Sequence, residues 1–415
     1  MIRLLALLVL AVALPAPLAA QNAAAVQRNP AMRAALERLR SDNEWTLQQQ
    51  ASICEIPAPP FKEQRRAEEL RRRFTALGLR DVRLDSLGNV VARRPGTGRG
   101  PTVMISGHLD TVFPEGTDVR VTREGSVMRG PGIGDDCRGL AVVLAVARAM
   151  QLANVRTRGD VLFVGTLGEE GEGNLRGVRH IFRDGTARPD YFISVDGTGY
   201  GITNRAVGSR RFRVEFSGPG GHSHGDFGMP NPIHALGRSI AGIAELQVPA
   251  TPKTTFSVGV VQGGTSVNSI AMRATMDLDL RSESSLQLDS LEARVRRIID
   301  KAVADEKARW PDSDVALAAA LTLLGERPAG ALPDNDPIVL AAVDAARVLG
   351  ISTKLGASST DANVGIALGV QAITIDGGGA GAGAHSLGES YDDGGSGWRG
   401  PQWALLIVAR LAALP

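Results

Sequence analysis

The sequence predicts an α/β fold, a mostly parallel sheet flanked by helices, interrupted by an α+β insert. Three observations predict it. Short, continuously apolar runs recur at residues 102–106, 161–166, 191–195 and 372–375, as strands buried on both faces do. Helix-period segments at 139–150 and 337–349 lie among them, and alternation of such runs with helices is the signature of a parallel sheet covered on both sides. Between about 207 and 324 the pattern changes. Residues 210–216, 255–261 and 274–280 alternate polar and apolar and read as half-buried strands, 315–323 reads as a further strand, and 232–246 and 286–310 read as amphipathic helices.

Taken in order, residues 1–20 have Arg3, an apolar core over 4–14 and a tail of small residues ending at Ala20. The core falls short of the roughly 20 residues that span a bilayer, so this is a signal peptide and the mature chain is expected to be exported, secreted or periplasmic. Residues 29–73 read as two helices around a loop marked by Pro57, Pro59 and Pro60. The expected division is 21–206 for the first part of the catalytic domain, 207–324 for the insert and 325–415 for the second part.

Composition narrows the function. A chain of 415 residues with 43% apolar content can bury a large core. Its net charge is only +2, and no basic run is interleaved with its few aromatic residues, so nucleic acid is not an expected partner. After the signal segment no stretch is apolar enough to cross a membrane. The two cysteines, Cys54 and Cys137, rule out a disulfide framework and leave a single bridge open.

The chemistry shows in where acids and histidines fall. The first run ends in Gly107-His108-Leu109-Asp110, the second in Glu169-Glu170, the third in Asp196, and the fourth leads through glycines to His385. In open α/β sheets the site lies beyond the carboxyl ends of the strands, so four strands deliver ligand-type side chains to one edge. Asp135-Asp136 stands just before the 139–150 helix, where either residue alone reads as an N-cap. His108 alone reads as structural, and Glu169-Glu170 alone as a solvated pair. Together these carboxylates would repel one another unless cations held them. Carboxylate and imidazole ligands suit zinc, with manganese or cobalt as substitutes. Two such ions about 3.5–4 Å apart would polarise a carbonyl and acidify a water.

His108-Leu109-Asp110-Thr111-Val112, Gly132-Ile133-Gly134-Asp135-Asp136, Glu169-Glu170, Val195-Asp196-Gly197 and Ala384-His385 together resemble the zinc exopeptidase and deacylase family of peptidase T, carboxypeptidase G, acetylornithine deacetylase and succinyl-diaminopimelate desuccinylase. The resemblance covers nearly the whole mature chain. It implies that Asp135 bridges two zinc ions, that His108 and Asp196 complete one site and Glu170 and His385 the other, and that Glu169 is the general base. Asp110 would hold the His108 ring by its other nitrogen, and the peptide after Asp135 would be cis. The insert would be a ferredoxin-like lid through which the chain forms a homodimer. In it His222, of Gly218-Pro219-Gly220-Gly221-His222, would reach the partner's site, with His224 close by as the competing choice. Asn268 and Arg281 would bind substrate, although Arg281 reads equally as a strand-end surface charge. His180 and His234 match nothing. Cys137 and Arg138 depart from the family pattern, which puts the local packing and oxidation near the metals in question.

The expected activity is hydrolysis of the amide bond of small peptides. Asp196 in its Val-Asp-Gly setting tilts it toward an aminopeptidase acting on di- or tripeptides. A carboxypeptidase or N-acyl-amino-acid deacylase is the rival within the family, and a non-catalytic periplasmic binding protein the rival outside it.

Overall fold

The computed structural model describes residues 22–183 and 188–414; the signal segment expected at 1–20 lies outside them. Four parallel strands form the centre of a nine-stranded sheet, in the spatial order Val161–Thr166, Val103–His108, Tyr191–Val195 and Gln371–Ile375. Nearly every residue in them is buried, which is why they read as unbroken apolar runs. Antiparallel strands extend the sheet, with Val90–Arg94 and Arg80–Leu84 on one side and Gly201–Ala206 on the other.

Helix Cys137–Leu152, almost free of charge, is buried along most of its surface and packs with Pro337–Val348 and Arg399–Leu411 into the main core. Cys54 and Cys137 form a disulfide with Cα atoms 5.4 Å apart at a sequence separation of 83, tying helix Asn43–Cys54 to the start of the buried helix. A disulfide typically stabilises a fold by about 2–4 kcal/mol, more for longer loops. It also answers the question raised by Cys137: its sulfur is committed to Cys54.

One element differs from expectation. The region read as two helices holds three, Pro30–Ser41, Asn43–Cys54 and Gln64–Ala76. The first break falls at Asp42, whose N–H closes one helix on the Arg38 carbonyl while its own carbonyl accepts from Thr46 to open the next. Its carboxylate is taken by Arg148 and caps neither helix, so the joint is made by these main-chain bonds alone.

The insert folds into its own antiparallel sheet from Gly208–Ser217, Thr254–Gly263, Arg273–Ser282 and Ala318–Arg327. The first strand lies between the third and fourth, and the second lies at the edge beyond the third. With helices Pro232–Ala244 and Ser285–Ala308 packed on one face, this is a ferredoxin-like arrangement around Phe212, Val214, Leu236, Met276, Leu291 and Ile299. The other face carries cross-strand ion pairs, Arg213 with Asp277 at 2.7 Å and Arg211 with Asp279 at 3.3 Å. The last strand runs on to Arg327, past the boundary expected at residue 324.

Candidate active site

Each acidic or imidazole group is placed by the end of a strand or the start of a helix, except His385, which sits in the turn after the short strand Ala380–Ala382. His108 closes its strand, and its N–H donates to Asp136 Oδ2 at 2.8 Å while Asp136 Oδ1 accepts from Gly139 N–H at 2.9 Å. Asp136 is therefore the N-cap, and it locks the strand end to the buried helix. Gly107 permits this approach, since a Cβ there would lie 2.8 Å from the Leu140 nitrogen. Asp135 is left free to face outward, across a cis peptide to Asp136.

The Asp135 carboxylate is the centre of the cluster. His108 Nε2 lies 2.9 Å from its Oδ1, and His385 Nε2 lies 3.1 Å from its Oδ2 and 2.9 Å from Glu170 Oε1. Ligand atoms of His108, Asp135 and Glu170 all fall within 4.8 Å of one another. Asp196, Glu169, Glu170, His385 and Asp135 line one cavity of about 590 Å³. The five ligands predicted from sequence thus converge on one place.

Asp110 is beside them and faces the second ring nitrogen of His108, with a further role added. The second ring nitrogen of His108 lies 3.1 Å from the Asp110 carbonyl and 3.6 Å from its carboxylate. That carboxylate also accepts from the N–H groups of Glu169 and Glu170, at 3.0 and 2.8 Å, and sets the turn that aims both glutamates.

Two further residues carried no motif. Arg327, at the end of the lid sheet, donates from Nη1 to Glu169 Oε1 at 2.9 Å and from Nη2 to the Glu169 carbonyl. Glu389 accepts from the N–H groups of Gly132, Gly134 and Asp135 at 2.9, 2.7 and 2.9 Å, cradling the loop that presents Asp135. A carboxylate four residues beyond His385 was the only hint of it. Arg138, the departure from the family pattern, is wholly buried and donates to the carbonyls of Gly377 and Gly397 at 2.8 and 2.6 Å, bracing the glycine loop that leads to His385.

Electrostatics show what the cluster lacks. Burial pushes Glu169 up to about 8, against the pull of Arg327, and Glu170 adds to the rise. Burial and then the charge of Asp135 drive Asp196 well above the usual carboxylate range. Hydrogen bonds to Asp135 and Glu170 raise His385 to about 10. Burial opposes ionisation of Asp135, yet its two histidine partners hold it low. The carboxylates outnumber the local cations, and their oxygen and imidazole donors fit divalent metal ions of the zinc type.

A pH dependence follows for the metal-free chain. Glu169, raised to about 8, and Asp361, raised to about 6 chiefly by burial, hold protons in the folded state that the unfolded chain has already released. Stability therefore falls as pH rises between about 5 and about 8. His385 acts in the same direction: its contribution is complete below its ordinary value of 6.5 and is lost as pH rises through about 10. The depressed Asp135 acts the other way, but only below its ordinary value of 3.8, outside this window. Thermal unfolding in chelator should show a melting temperature that declines from about pH 5 to about pH 8, and added divalent metal should flatten that slope. A chelated chain that gains stability over the interval contradicts the assignment.

On the lid, Arg281 and Arg211 line the same cavity. Arg281 is held by Asp279, Nε to Oδ2 at 2.6 Å. His222 and Asn268 are exposed and do not line it. They occupy a short paired segment, Gly221–His222 with Ser269–Ile270, in which Ser223 N–H donates to the Asn268 carbonyl at 3.0 Å. His222 Nδ1 accepts from the N–H groups of His224 and Gly225, at 3.2 and 3.1 Å, so its proton resides on Nε2. His180 bonds Ser86 at 2.9 Å and His234 lies 3.4 Å from Glu306, both away from the cavity.

A buried parallel sheet needs no such gathering of imidazoles and carboxylates at one edge; metal-dependent hydrolysis does, and that is the class this fold and site define. The model of the peptidase family M20/M25/M40 matches residues 104–395, and the chain belongs to that family. Among curated relatives, it is 26% identical over 358 residues to Bacillus subtilis YqjE, covering 82% of this chain and 88% of that one. It is 28% identical over 253 residues to the succinyl-diaminopimelate desuccinylase of Nitrosospira multiformis, covering 56% of this chain and 66% of that one. Among solved structures, aminopeptidase PepT from Bacillus cereus superposes with a TM-score of 0.73 at 20% identity, covering 89% of this chain and 98% of that one. A Staphylococcus aureus tripeptidase gives 0.74 at 20% identity with the same coverage. These structural likenesses establish the fold.

Proposed function

We propose that this chain is an exported dinuclear metallopeptidase that hydrolyses the amide bond of small peptides, as an aminopeptidase on di- or tripeptides. The observation that carries this is the single cavity in which the ligand cluster, a buried and tethered Glu169, and the lid guanidiniums of Arg281 and Arg211 face a common space. His108, Asp135 and Asp196 would hold one zinc ion, and Asp135, Glu170 and His385 a second, with manganese or cobalt as substitutes. Bound there, the ions supply charge that polarises a carbonyl and lowers the pKa of a water. Glu169 takes the proton of the attacking water and returns it to the leaving nitrogen. Arg327 engages one of its oxygens and fixes the direction in which the other points. Arg281 offers a planar fork to a substrate carboxylate.

Export is supported by the N-terminal pattern and by the pairing of both cysteines. The exposed Val260 and Val261 on the lid's edge strand support a homodimer built through that sheet, which would bring His222 toward a partner's cavity. Glu169 would be superfluous in a non-catalytic binding protein.

The structural neighbours named for aminopeptidase and tripeptidase activity favour the peptide reading. The desuccinylase names of curated relatives favour an N-acyl-amino-acid deacylase as the second. Metal-loaded protein offered free peptides, N-blocked peptides and N-acyl amino acids should turn over the free peptides fastest. Turnover confined to the N-blocked compounds rejects the aminopeptidase reading in favour of a carboxypeptidase or deacylase.

A further inference from the structure

The cavity holds one more carboxylate, which the chemistry above leaves unused. Asp376 follows strand Gln371–Ile375 directly, as Asp196 follows Tyr191–Val195, and Ile375 pairs with Val195 in the parallel register. The two aspartates therefore leave adjacent strands at the same level, about 4.8 Å apart along the sheet. Asp376 Oδ2 accepts from Gly201 N–H at 2.6 Å, and its own N–H donates to the Gly201 carbonyl at 3.2 Å. The glycines at 199 and 201 let the chain wrap it closely, since a Cβ at either would lie 3.0 Å from Oδ2. Its other oxygen has no hydrogen-bond partner among the described residues, and no basic side chain among them pairs with it. Burial pushes its carboxyl up to about 6, as expected of a negative charge that nothing nearby compensates. At neutral pH it is still mainly ionised.

The lid side of the same cavity has the opposite imbalance. Arg211 and Arg281 share a single carboxylate, Asp279, at 3.3 and 2.6 Å. The space thus offers an uncompensated negative charge beside the ligand Asp196 and an excess positive charge on the lid. An N-acylated substrate would put a neutral amide against Asp376 and leave that carboxylate desolvated without a partner, which is unfavourable. A free dipeptide or tripeptide carries an ammonium and a carboxylate a few bonds apart, and about 590 Å³ accommodates one.

We infer that Asp376 receives the free α-ammonium group of the substrate and selects unblocked peptides over N-acylated ones. This rests on the reading of the cavity as an amide-hydrolysing site and names what that site recognises.

The competing role is structural: Asp376 would serve only to hold the turn at Gly201. Asp376→Asn separates the two, because the amide oxygen still accepts from Gly201 N–H while the charge is gone. With metal-loaded enzyme, a free dipeptide and its N-acetyl counterpart are assayed for KM and kcat in wild type and variant. The expected result is a KM for the free dipeptide raised by about 10- to 100-fold, with kcat, the melting temperature and the kinetics on the acetylated compound nearly unchanged. Equal losses on both substrates, or no loss, overturn the inference while leaving the hydrolase reading intact. A wild-type chain that cleaves only the acetylated compound overturns the aminopeptidase reading, and the role of Asp376 with it.

If the variant does not fold, calorimetry on the wild type decides the matter. A non-hydrolysable phosphinic dipeptide with a free amine should bind at least about tenfold more tightly than its N-acetyl form. Equal affinity refutes the ammonium contact.

Discussion

Glu169→Gln is expected to remove peptide turnover, by about 10²- to 10⁴-fold in kcat, while the bound metal stays at the wild-type level. Glutamine has the volume of glutamate and keeps an oxygen to accept from Arg327 Nη1, so the 2.9 Å tether can persist. The two N–H groups held by Asp110 are main-chain groups and are untouched by the change. What disappears is the capacity to take a proton and pass it on. The check is kcat alongside elemental analysis of the same preparation. A variant with normal metal and normal turnover would mean that another group carries the proton.

A second large effect belongs to Asp135. Two imidazoles meet its two oxygens, at 2.9 and 3.1 Å, so no other carboxylate among the described residues bridges His108 and His385 in this way. Asp135→Ala should lose bound divalent metal and, with it, turnover to background. Its most specific signature is thermal. Metal added to the wild type raises the melting temperature by stabilising the folded state alone, and in the variant that rise should vanish. The fold itself should survive, because Asp136, not Asp135, caps helix Cys137–Leu152 and ties it to His108. A variant that binds metal with wild-type affinity would remove Asp135 from the centre of the cluster.

The contrast between these two neighbouring aspartates shows how far the sequence could be read. Asp135-Asp136 before an apolar helix admits both an N-cap and a ligand; Asp136 takes the cap, and Asp135 turns to the two histidines of the cluster. Which is which depends on the direction each side chain takes as the chain enters the helix, and linear order does not encode that. Asp110 is similar. Its place two residues after His108 marked it as part of the site, but its bonds to Glu169 and Glu170 exist only because the parallel strands Val103–His108 and Val161–Thr166 end side by side.

Arg327 and Glu389 were invisible for a related reason. Each is separated from its target by more than 150 residues, 158 between Arg327 and Glu169 and 254 between Glu389 and Asp135, and a lone Arg or Glu in a loop has no local signature.

The sequence by itself determined that this is an α/β chain with an α+β insert, that His108, Asp135, Glu169, Glu170 and Asp196 lie at strand or helix ends, and that a glycine loop after the fourth strand leads to His385. Burial on two faces writes itself as continuous apolar runs, and an open parallel sheet places its site beyond the carboxyl ends of its strands. Tertiary structure decided the rest: which aspartate caps and which faces the cluster, that Cys54 pairs with Cys137, that Arg327 reaches Glu169, and that Asp376 has no cationic partner among the described residues. Those outcomes depend on side-chain directions and on contacts between residues distant in the chain, which only the assembled fold sets.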